Sequence, residues 1–322
     1  MASDASSGLL PIQGYALENG GREVAAEDFA GTQPLWVLLD RTNSEAQHWL
    51  KRDSGLPSDV VQELLAEETR PRCEVHEGGV LLILRGVNLN PGADPEDMIS
   101  VRIWAEERRV IALRGRRIMA LADQYEALKK GEGPTRVGQL VTQIVLRLLI
   151  RMEPTITAFE ETCDDLEIDV LESQKGDLRE PLYALRHKLI TLRRYVAPQR
   201  DALKLLAELH PAFFNKDDRN RLRDSIDRVT RYVEALDATR ERTTVIQDEL
   251  SNRLAESANS RIYLMSIVAG IFLPLGLVTG LLGINVSGMP GVETPWAFWA
   301  VCGLLVVLLG IELWLFRRMR WL

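Results

Sequence analysis

The chain has 322 residues, and its 46 acidic and 39 basic side chains give a formal net charge of −7. This mildly acidic balance, with no basic run that resembles a DNA-binding arm, excludes nucleic acid as an expected partner. The three cysteines are far apart in the sequence, so a disulfide framework is not expected. Because no nucleophile–base pair, phosphate-binding loop or dinucleotide fingerprint is found, we expect a protein that is not an enzyme and has no cofactor.

Residues 1–134 have the pattern of a mixed α+β domain with antiparallel or mixed strand pairing. Short runs rich in β-branched and aliphatic residues predict strands at 35–39, 80–84, 99–104 and 109–113. Helical patterns lie between and after these strands, at 43–51, 57–68 and 123–130. The alternation of strand and helix signals predicts a layered domain built on one sheet.

Residues 135–215 lack strand signals and predict a helical segment that packs on the long helix that follows it. Two helices are expected here, at 137–175 and 181–209. Pro154 and Pro198 fall inside these helices, and we expect each proline to kink or interrupt its helix because it removes one backbone hydrogen bond.

The first of these two helices carries an acidic patch between positions 160 and 169. Within it, Glu160, Asp164 and Asp165 are candidate ligands for a regulatory divalent ion held between subunits, since carboxylate oxygens suit hard cations. The alternative interpretation is a solvated helix face, which requires no ion.

Residues 216–261 predict one long stalk helix, because no glycine or proline occurs between positions 216 and 269. Asn215 is placed to cap its first turn. Apolar residues recur in steps of four and three along its first half: Leu222, Ile226, Val229, Val233 and Leu236. So narrow a stripe is typical of a coiled-coil seam and predicts burial against other copies of the chain. Continued to position 282, the helix would be about 100 Å long.

Two apolar stretches, 262–282 and 296–316, close the chain. Each has 21 residues, close to the roughly 20 that a helix needs to cross a bilayer. Glu312 is the one charged residue in either stretch, and we expect it to pair with Arg317 at the membrane interface. The connection at 283–295 is short, so the two transmembrane helices should form a hairpin whose ends lie on the same side of the membrane.

Basic residues orient this hairpin. Arg261 precedes the first span and the tail at 317–322 contains three arginines, whereas the connecting loop contains no Lys or Arg. The positive-inside rule therefore predicts an external loop, with the soluble region, the basic tail and both termini in the cytoplasm. The expected location is the cell (inner) membrane, crossed twice.

The first span ends in Gly283-Ile284-Asn285, at the start of the external loop. Together with the α+β domain, the long helix and the two C-terminal spans, this motif resembles the CorA superfamily of divalent cation channels and transporters. The variant Gly-Ile-Asn, the following segment 286–291 and the arginine-rich tail are similar to the ZntB zinc-transporter branch. The resemblance implies a funnel-shaped homopentamer that takes up zinc, with cadmium, nickel and cobalt as further candidates and proton coupling as an open point.

The resemblance also implies roles for individual residues. Gly283, Ile284 and Asn285 would form the cation filter, in which five Asn285 carboxamides hold the waters of a hydrated ion. Glu293 in the loop would attract cations to the entrance. Alignment on Asn285 places five residues of the long helix near the pore axis: Asn259, Ile262, Met265, Leu273 and Gly276. For Met265 and Leu273, packing between helices is an equal alternative.

Other interpretations stay open at this point. Cys73 and His76 lie three residues apart on a predicted strand edge, which aims them at opposite faces and argues against a shared metal ion. Gly276 and Gly280 form a Gly-x-x-x-Gly pair that predicts close helix packing. Within transporters, a magnesium/cobalt channel is the alternative to a zinc transporter. Outside that class, the alternative is a membrane-tethered coiled-coil scaffold or sensor, which would conduct no ions.

Overall fold

The computed structural model describes residues 11–18, 21–25, 29, 33–172, 177–284 and 294–319. The chain divides into two compact units, an N-terminal unit (Met1–Gln247) and a C-terminal unit (Asp248–Leu322). Each unit is described by itself.

Seven strands and seven helices lie in the described residues. The strands are β1 (Ile12–Ala16), β2 (Arg22–Val24), β3 (Leu35–Asp40), β4 (Arg72–His76), β5 (Gly79–Gly86), β6 (Ile99–Ala105) and β7 (Arg109–Arg114). The helices are α1 (Ser44–Arg52), α2 (Ser58–Leu65), α3 (Met119–Lys129), α4 (Val137–Leu171), α5 (Arg179–Glu208), α6 (Lys216–Leu282) and α7 (Ala297–Arg318).

All seven strands belong to one sheet in the order β2-β1-β3-β7-β6-β5-β4. Every neighbouring pair is antiparallel except β3 and β7, which run parallel with Leu35 opposite Arg109. The mixed pairing that the sequence predicts is therefore confirmed. β2 and β4 lie at the two edges of the sheet, so each pairs with one neighbouring strand among the described residues.

The four predicted strands correspond to β3, β5, β6 and β7, and β4 corresponds to the strand edge predicted for Cys73 and His76. By contrast, β1 and β2 carry no strong sequence signal. In β1 the alternation is interrupted by Gly14, and the structure shows why a glycine is needed there. A Cβ atom at this position would lie 2.0 Å from Cε1 of Phe29, whose ring covers the strand. The Phe29 ring fills the space that a side chain at position 14 would occupy. The residue there is therefore glycine, and the alternating pattern that would predict a strand is missing.

The sheet is covered on both faces. On one face, α1 and α2 bury a cluster that includes Trp49, Leu50 and Leu64 against Leu81 and Trp104 of the sheet. On the other face, α4 and α5 pack against β5, and Leu148 of α4 lies over Gly86. This layered arrangement explains why β5 and β6 are buried on both sides, and why the sequence of β5 is a nearly continuous apolar run.

The two prolines do not interrupt their helices. Pro154 lies inside the 35-residue α4 and Pro198 inside the 30-residue α5. Each proline leaves the carbonyl four residues earlier without its helical donor. These carbonyls belong to Ile150 and Arg194, which are exposed, so water can replace the missing donor.

The long helix begins where the sequence predicts it. The Asn215 side chain accepts a hydrogen bond from the backbone N–H of Asp218 at 2.8 Å, and the Asp218 carboxylate accepts one from the N–H of Asn215 at 3.1 Å. This reciprocal pair is a capping box. Arg136 at the start of α4 also donates to Asp218, at 2.7 Å, so the cap joins two helices.

The apolar stripe of α6 is buried within a single chain, and this corrects the expectation that other copies cover it. Leu222, Val229 and Leu236 are at most 1 % exposed. Contacts across the stripe come from α4 and α5: the Tyr232 hydroxyl donates to the carbonyl of Leu149 at 3.2 Å, and Arg193 pairs with Asp237. The stripe is therefore the seam of an intramolecular three-helix arrangement.

In the C-terminal unit, the end of α6 and the whole of α7 are long and apolar enough to cross a membrane. Here the large apolar side chains face outward, among them Leu273 and Met265, each 72 % exposed, and Trp299, 74 % exposed. Outward-facing apolar side chains of this length are expected where lipid, rather than water, surrounds the helix.

Candidate functional site

The motif at the end of the first span lies at the boundary of the described residues. The N–H of Gly283 donates to the carbonyls of Thr279 at 2.9 Å and Gly280 at 3.2 Å, which ends α6. Ile284 follows and is 49 % exposed. Asn285 and Glu293 lie outside the described residues, so their predicted roles stay predictions.

The five residues that the resemblance places near a pore axis share one face of α6. At about 100° per residue, they fall within a sector of about 120°, and Gly283 continues the same sector. All five are exposed in the single chain: Asn259, Ile262, Met265, Leu273 and Gly276. The helix therefore carries a continuous face that no described part of its own chain covers.

A different face of α6 meets α7. The Phe316 ring lies against Gly270, where a Cβ atom would be 2.9 Å from Cζ of Phe316. Ile267 and Phe316 are both 8 % exposed and are among the few buried residues of this unit. At Gly276 and Gly280, by contrast, an added Cβ would meet no described atom within 4 Å. The close helix packing predicted from this glycine pair is thus not made within one chain.

Glu312 is the ionisable residue inside a span, and its surroundings differ from the expectation. Neither carboxylate oxygen of Glu312 has a hydrogen-bond partner among the described residues, although both are shielded from solvent. The expected pairing with Arg317 is absent from the described ion pairs. The reason is geometric: residues five apart on a helix point about 140° away from each other.

The acidic patch of α4 is partly neutralised by the chain itself. Arg242 of α6 contacts Oδ1 of Asp164 at 2.7 Å and also contacts Glu167. Hydrogen bonds to Glu167 and Asp164 raise the pKa of Arg242, so it stays charged and competes with any cation for these oxygens. Glu160 and Asp165 make no described ion pair, and a regulatory ion at Glu160, Asp164 and Asp165 stays a prediction.

Cys73 and His76 point to opposite faces of β4, as the sequence predicts. Cys73 is 5 % exposed beneath the sheet. Burial, with a smaller contribution from the charge of Glu74, raises the pKa of the Cys73 thiol to about 12. Side chains on opposite faces of one strand do not converge on one ion, and burial also disfavours the thiolate that metals bind, so both observations argue against a site shared by Cys73 and His76.

A group of potential ligands that the sequence did not single out lies between this strand and helix α2. Glu63, Glu74 and His76 each offer one ligand atom, and these atoms lie within 4.8 Å of one another. The two residues of β4 are two apart and so share a face of the strand. That spacing was visible in the sequence, but the approach of Glu63 from α2 was not.

Comparison with known proteins assigns the chain to a family. Residues 31–318 match the family described as "CorA-like Mg2+ transporter protein". This chain belongs to the CorA family. It is therefore a membrane-spanning transporter of divalent cations rather than an enzyme, and the match covers both spans and most of the soluble region.

Two relatives and one solved structure show how far the similarity extends. "Divalent cation transporter CmaX" of Pseudomonas aeruginosa is 40 % identical over 321 residues, 97 % of this chain and 96 % of the relative. "Zinc transport protein ZntB" of Pectobacterium carotovorum is 35 % identical over 314 residues, with 97 % and 96 % covered. The structure titled "structure of the full-length CmaX protein" superposes with a TM-score of 0.83 at 39 % identity, covering 97 % of this chain and 98 % of that one.

Proposed function

We propose that this CorA-family protein takes up zinc, and that cadmium, nickel and cobalt share its pathway. The observation that carries the proposal is the Gly283-Ile284-Asn285 motif at the end of the first span, in a chain that is 35 % identical to a zinc transport protein over nearly its whole length. A magnesium/cobalt channel is the alternative cargo within the same family. The transported ion is the substrate and not a resident cofactor.

The proposed filter recognises a hydrated ion. The span 262–282 contains no imidazole, thiolate or carboxylate, the ligands that would select zinc through direct bonds. Neutral carboxamide oxygens of Asn285 instead accept hydrogen bonds from the first-shell waters of the ion, whose removal is costly. Such a filter holds the ion loosely enough for it to leave and discriminates weakly among similar divalent ions.

The proposal requires a ring of chains. Two spans in one chain cannot enclose a water-filled path, and the exposed face of α6 that carries Ile262, Met265 and Leu273 needs a partner. Five copies, the number implied by the family resemblance, would bring these faces together around an axis. We propose the division of the chain into a soluble domain (1–134), a helical segment (135–215), a stalk (216–261), two spans and a basic tail on the same basis.

The membrane orientation is also part of the proposal. Both termini would lie in the cytoplasm and the loop outside the cell, where Glu293 attracts cations. Ser287→Cys, in a background lacking Cys302, should react with an impermeant thiol reagent added to intact cells. If a cysteine placed in the N-terminal unit is labelled instead, the orientation is the opposite of the one proposed.

The decisive experiment measures zinc flux into proteoliposomes. Replacing the Asn285 amide removes, from every subunit of the ring, a hydrogen bond to a first-shell water of the ion, each worth about 0.5–1.5 kcal/mol. Asn285→Ala should therefore lower zinc flux at low zinc by roughly tenfold or more. Asn220→Ala, an exposed asparagine in the N-terminal unit, is the matched control and should transport normally.

Three further arms of this assay sharpen the result. Excess magnesium that abolishes zinc entry would favour the magnesium/cobalt alternative. An inwardly directed proton gradient that accelerates zinc entry would establish proton coupling, for which Glu293 and Glu312 are the acidic candidates. Asn285→Ala protein that keeps its oligomeric state and transports zinc at the wild-type rate would refute the filter.

A further inference from the structure

Four polar side chains converge between helix α2 and the edge strand β4. Asp59 and Glu63 are four residues apart on α2 and so share one helix face, whereas Glu74 and His76 are two apart and share one strand face. The helix lies over that face of the sheet, because Glu63 contacts Arg72 of the strand. The fold thus brings together residues of α2 and β4, two elements that a loop separates in the sequence.

The His76 imidazole is held in one orientation. Its Nδ1 lies 3.2 Å from Oδ2 of Asp59, and its ring meets Trp104 edge-on with 6.0 Å between ring centroids. Its Nε2 is shielded from solvent and has no hydrogen-bond partner among the described residues. The nearest carboxylate oxygen to it is Oε2 of Glu74, at 3.6 Å. A carboxylate on Nδ1 that leaves Nε2 free is the arrangement in which a histidine binds a metal ion.

Arg72 holds the two glutamates without using all of their oxygens. It contacts Oε2 of Glu63, and its Nε lies 2.5 Å from Oε1 of Glu74. Each carboxylate therefore keeps a second oxygen for another partner, and for Glu74 this is the oxygen nearest to His76. The guanidinium also offsets part of the negative charge, which keeps the two carboxylates close together in the absence of a cation.

We propose that Glu63, Glu74 and His76 bind a divalent transition-metal ion of the zinc type within a single chain. One imidazole and two carboxylates are a ligand set that suits zinc, with a water as the fourth ligand. In a tetrahedral zinc site the ligand atoms are about 3.4 Å apart, given bonds of about 2.1 Å. The 3.6 Å between Nε2 of His76 and Oε2 of Glu74 already matches this spacing.

Asp59 is a positioning residue in this site. It does not bind the ion but fixes the tautomer of His76 so that Nε2 carries the lone pair. Asp59 is 63 % exposed in its side chain, whereas His76 is 17 % exposed. An ion can therefore reach the site from solvent on the side of α2, while contacts with Asp59 and Trp104 hold the imidazole in place.

The rival explanation is a purely ionic cluster, in which protonated His76 pairs with Asp59 and Glu74 and no metal binds. The two explanations predict opposite responses to metal. A zinc site binds one ion per chain through Nε2 and is lost when that nitrogen is removed. An ionic cluster binds none, and substitution of His76 leaves the number of bound ions unchanged.

The experiment titrates the full-length detergent-solubilised protein with Zn2+ and, as a spectroscopic probe, with Co2+, whose visible absorption changes when imidazole and carboxylate replace water. Wild-type protein should bind one more ion per chain than His76→Gln, and the Co2+ spectrum of the wild type should include a component that His76→Gln lacks. Asp59→Asn should lower the affinity of this site for the metal ion by about 10–100-fold, so the same spectral component should appear only at higher Co2+ concentration. His48→Gln, an exposed histidine on α1, is the matched control and should behave as the wild type.

Equal stoichiometry and identical Co2+ spectra for the wild type and His76→Gln would overturn the proposal. Circular dichroism establishes that each variant is folded. Should His76→Gln fail to fold, the comparison is made with Glu63→Gln, whose side chain lies at the surface of α2. Because binding is measured without transport, the metal site stands or falls independently of the zinc-uptake proposal.

Discussion

The N-terminal and C-terminal units treat their apolar side chains in opposite ways. In the N-terminal unit, Leu64, Leu81 and Trp104 are at most 1 % exposed, because helices and sheet of the same chain cover them. In the C-terminal unit, residues of similar size such as Leu273 and Trp299 are more than 70 % exposed. The first unit carries its own solvent-excluding core, whereas the second depends on lipid and, as we propose, on other copies.

This difference teaches where a mutation should act. In the N-terminal unit, the cost of losing an apolar side chain appears as a lower free energy of unfolding in water. In the C-terminal unit, the same change leaves that free energy unaltered and acts on membrane insertion, assembly or conduction instead. The four predictions below test this division, from the largest expected effect to the smallest.

Two leucine substitutions with the same chemistry test the division directly. Leu64→Ala should lower the free energy of unfolding of the N-terminal unit by about 2–5 kcal/mol, since it leaves a cavity in the core. Leu273→Ala should leave this free energy unchanged. Urea titration of the full-length protein in detergent, followed by circular dichroism, measures both. A loss of similar size in the two variants would show that the units do not differ in this way.

The junction between α4 and α6 should be the next most sensitive position. Asp218 is 1 % exposed, caps α6 and pairs with Arg136. Asp218→Ala should lower the free energy of unfolding by about 2 kcal/mol, because it removes the cap of α6 and leaves Arg136 without its carboxylate partner. The neighbouring Asp217→Ala, at an exposed position, should change stability by less than about 0.5 kcal/mol. Equal urea midpoints for the two variants would contradict this assignment.

Within the C-terminal unit, the contact between α6 and α7 should be sensitive to added volume. Gly270→Ala places a methyl group 2.9 Å from the Phe316 ring, and overpacking of this kind costs about 1–3 kcal/mol. The thermal midpoint of the detergent-solubilised protein should fall. Gly303→Ala on α7, where a Cβ meets no described atom within 4 Å, is the control and should have the wild-type midpoint.

The smallest effect is a pH dependence in the N-terminal unit. Hydrogen bonds from Arg193 hold the pKa of Asp237 below its usual value. A lowered pKa in the folded state gives stability that is present above the unfolded pKa of about 3.9 and is lost as the pH falls through the folded pKa. Both side chains are more than a third exposed, so the contribution is below about 1 kcal/mol.

Asp237→Asn removes this contribution. The free energies of unfolding of the wild type and Asp237→Asn should therefore differ at pH 6 and converge towards pH 3. Asp201→Asn serves as the control, because the Asp201 carboxylate pairs with Arg200 but is more exposed than that of Asp237, and it should follow the wild type at both pH values. A gap between wild type and Asp237→Asn that stays constant with pH would show that Arg193 does not act through this carboxylate.

The helices were predictable because their signals are local. The cap at Asn215, the absence of glycine and proline from 216 to 269 and the length of the apolar stretches each depend on neighbouring residues alone. They place the start of α6 at Lys216 and its end at Leu282, as observed. The strands β1 and β2 were not predictable in this way, since β1 contains Gly14 and β2 has three residues.

The predictions that were wrong or missing concern contacts between elements that are distant in the sequence. The stripe that contains Leu222 and Val229 shows that one face of α6 is buried, but periodicity does not say whether α4 and α5 or another copy buries it. For a similar reason, the sequence did not predict the cluster of Glu63, Glu74 and His76. Its ligands come from a helix and a strand whose relative placement is decided by the core, not by ligand spacing.

The parallel pair of β3 and β7 has a consequence for synthesis of the protein. β1, β2 and β3 can pair with one another early, but the second edge of β3 waits for a strand that ends 74 residues later, at Arg114 rather than Asp40. At roughly 5–20 residues per second, the ribosome needs roughly 4–15 s to supply it. During that interval the Leu-Trp-Val-Leu-Leu edge of β3 offers unpaired backbone groups to other nascent chains. We therefore expect this edge of β3 to be a position at which nascent chains associate unless a chaperone covers it.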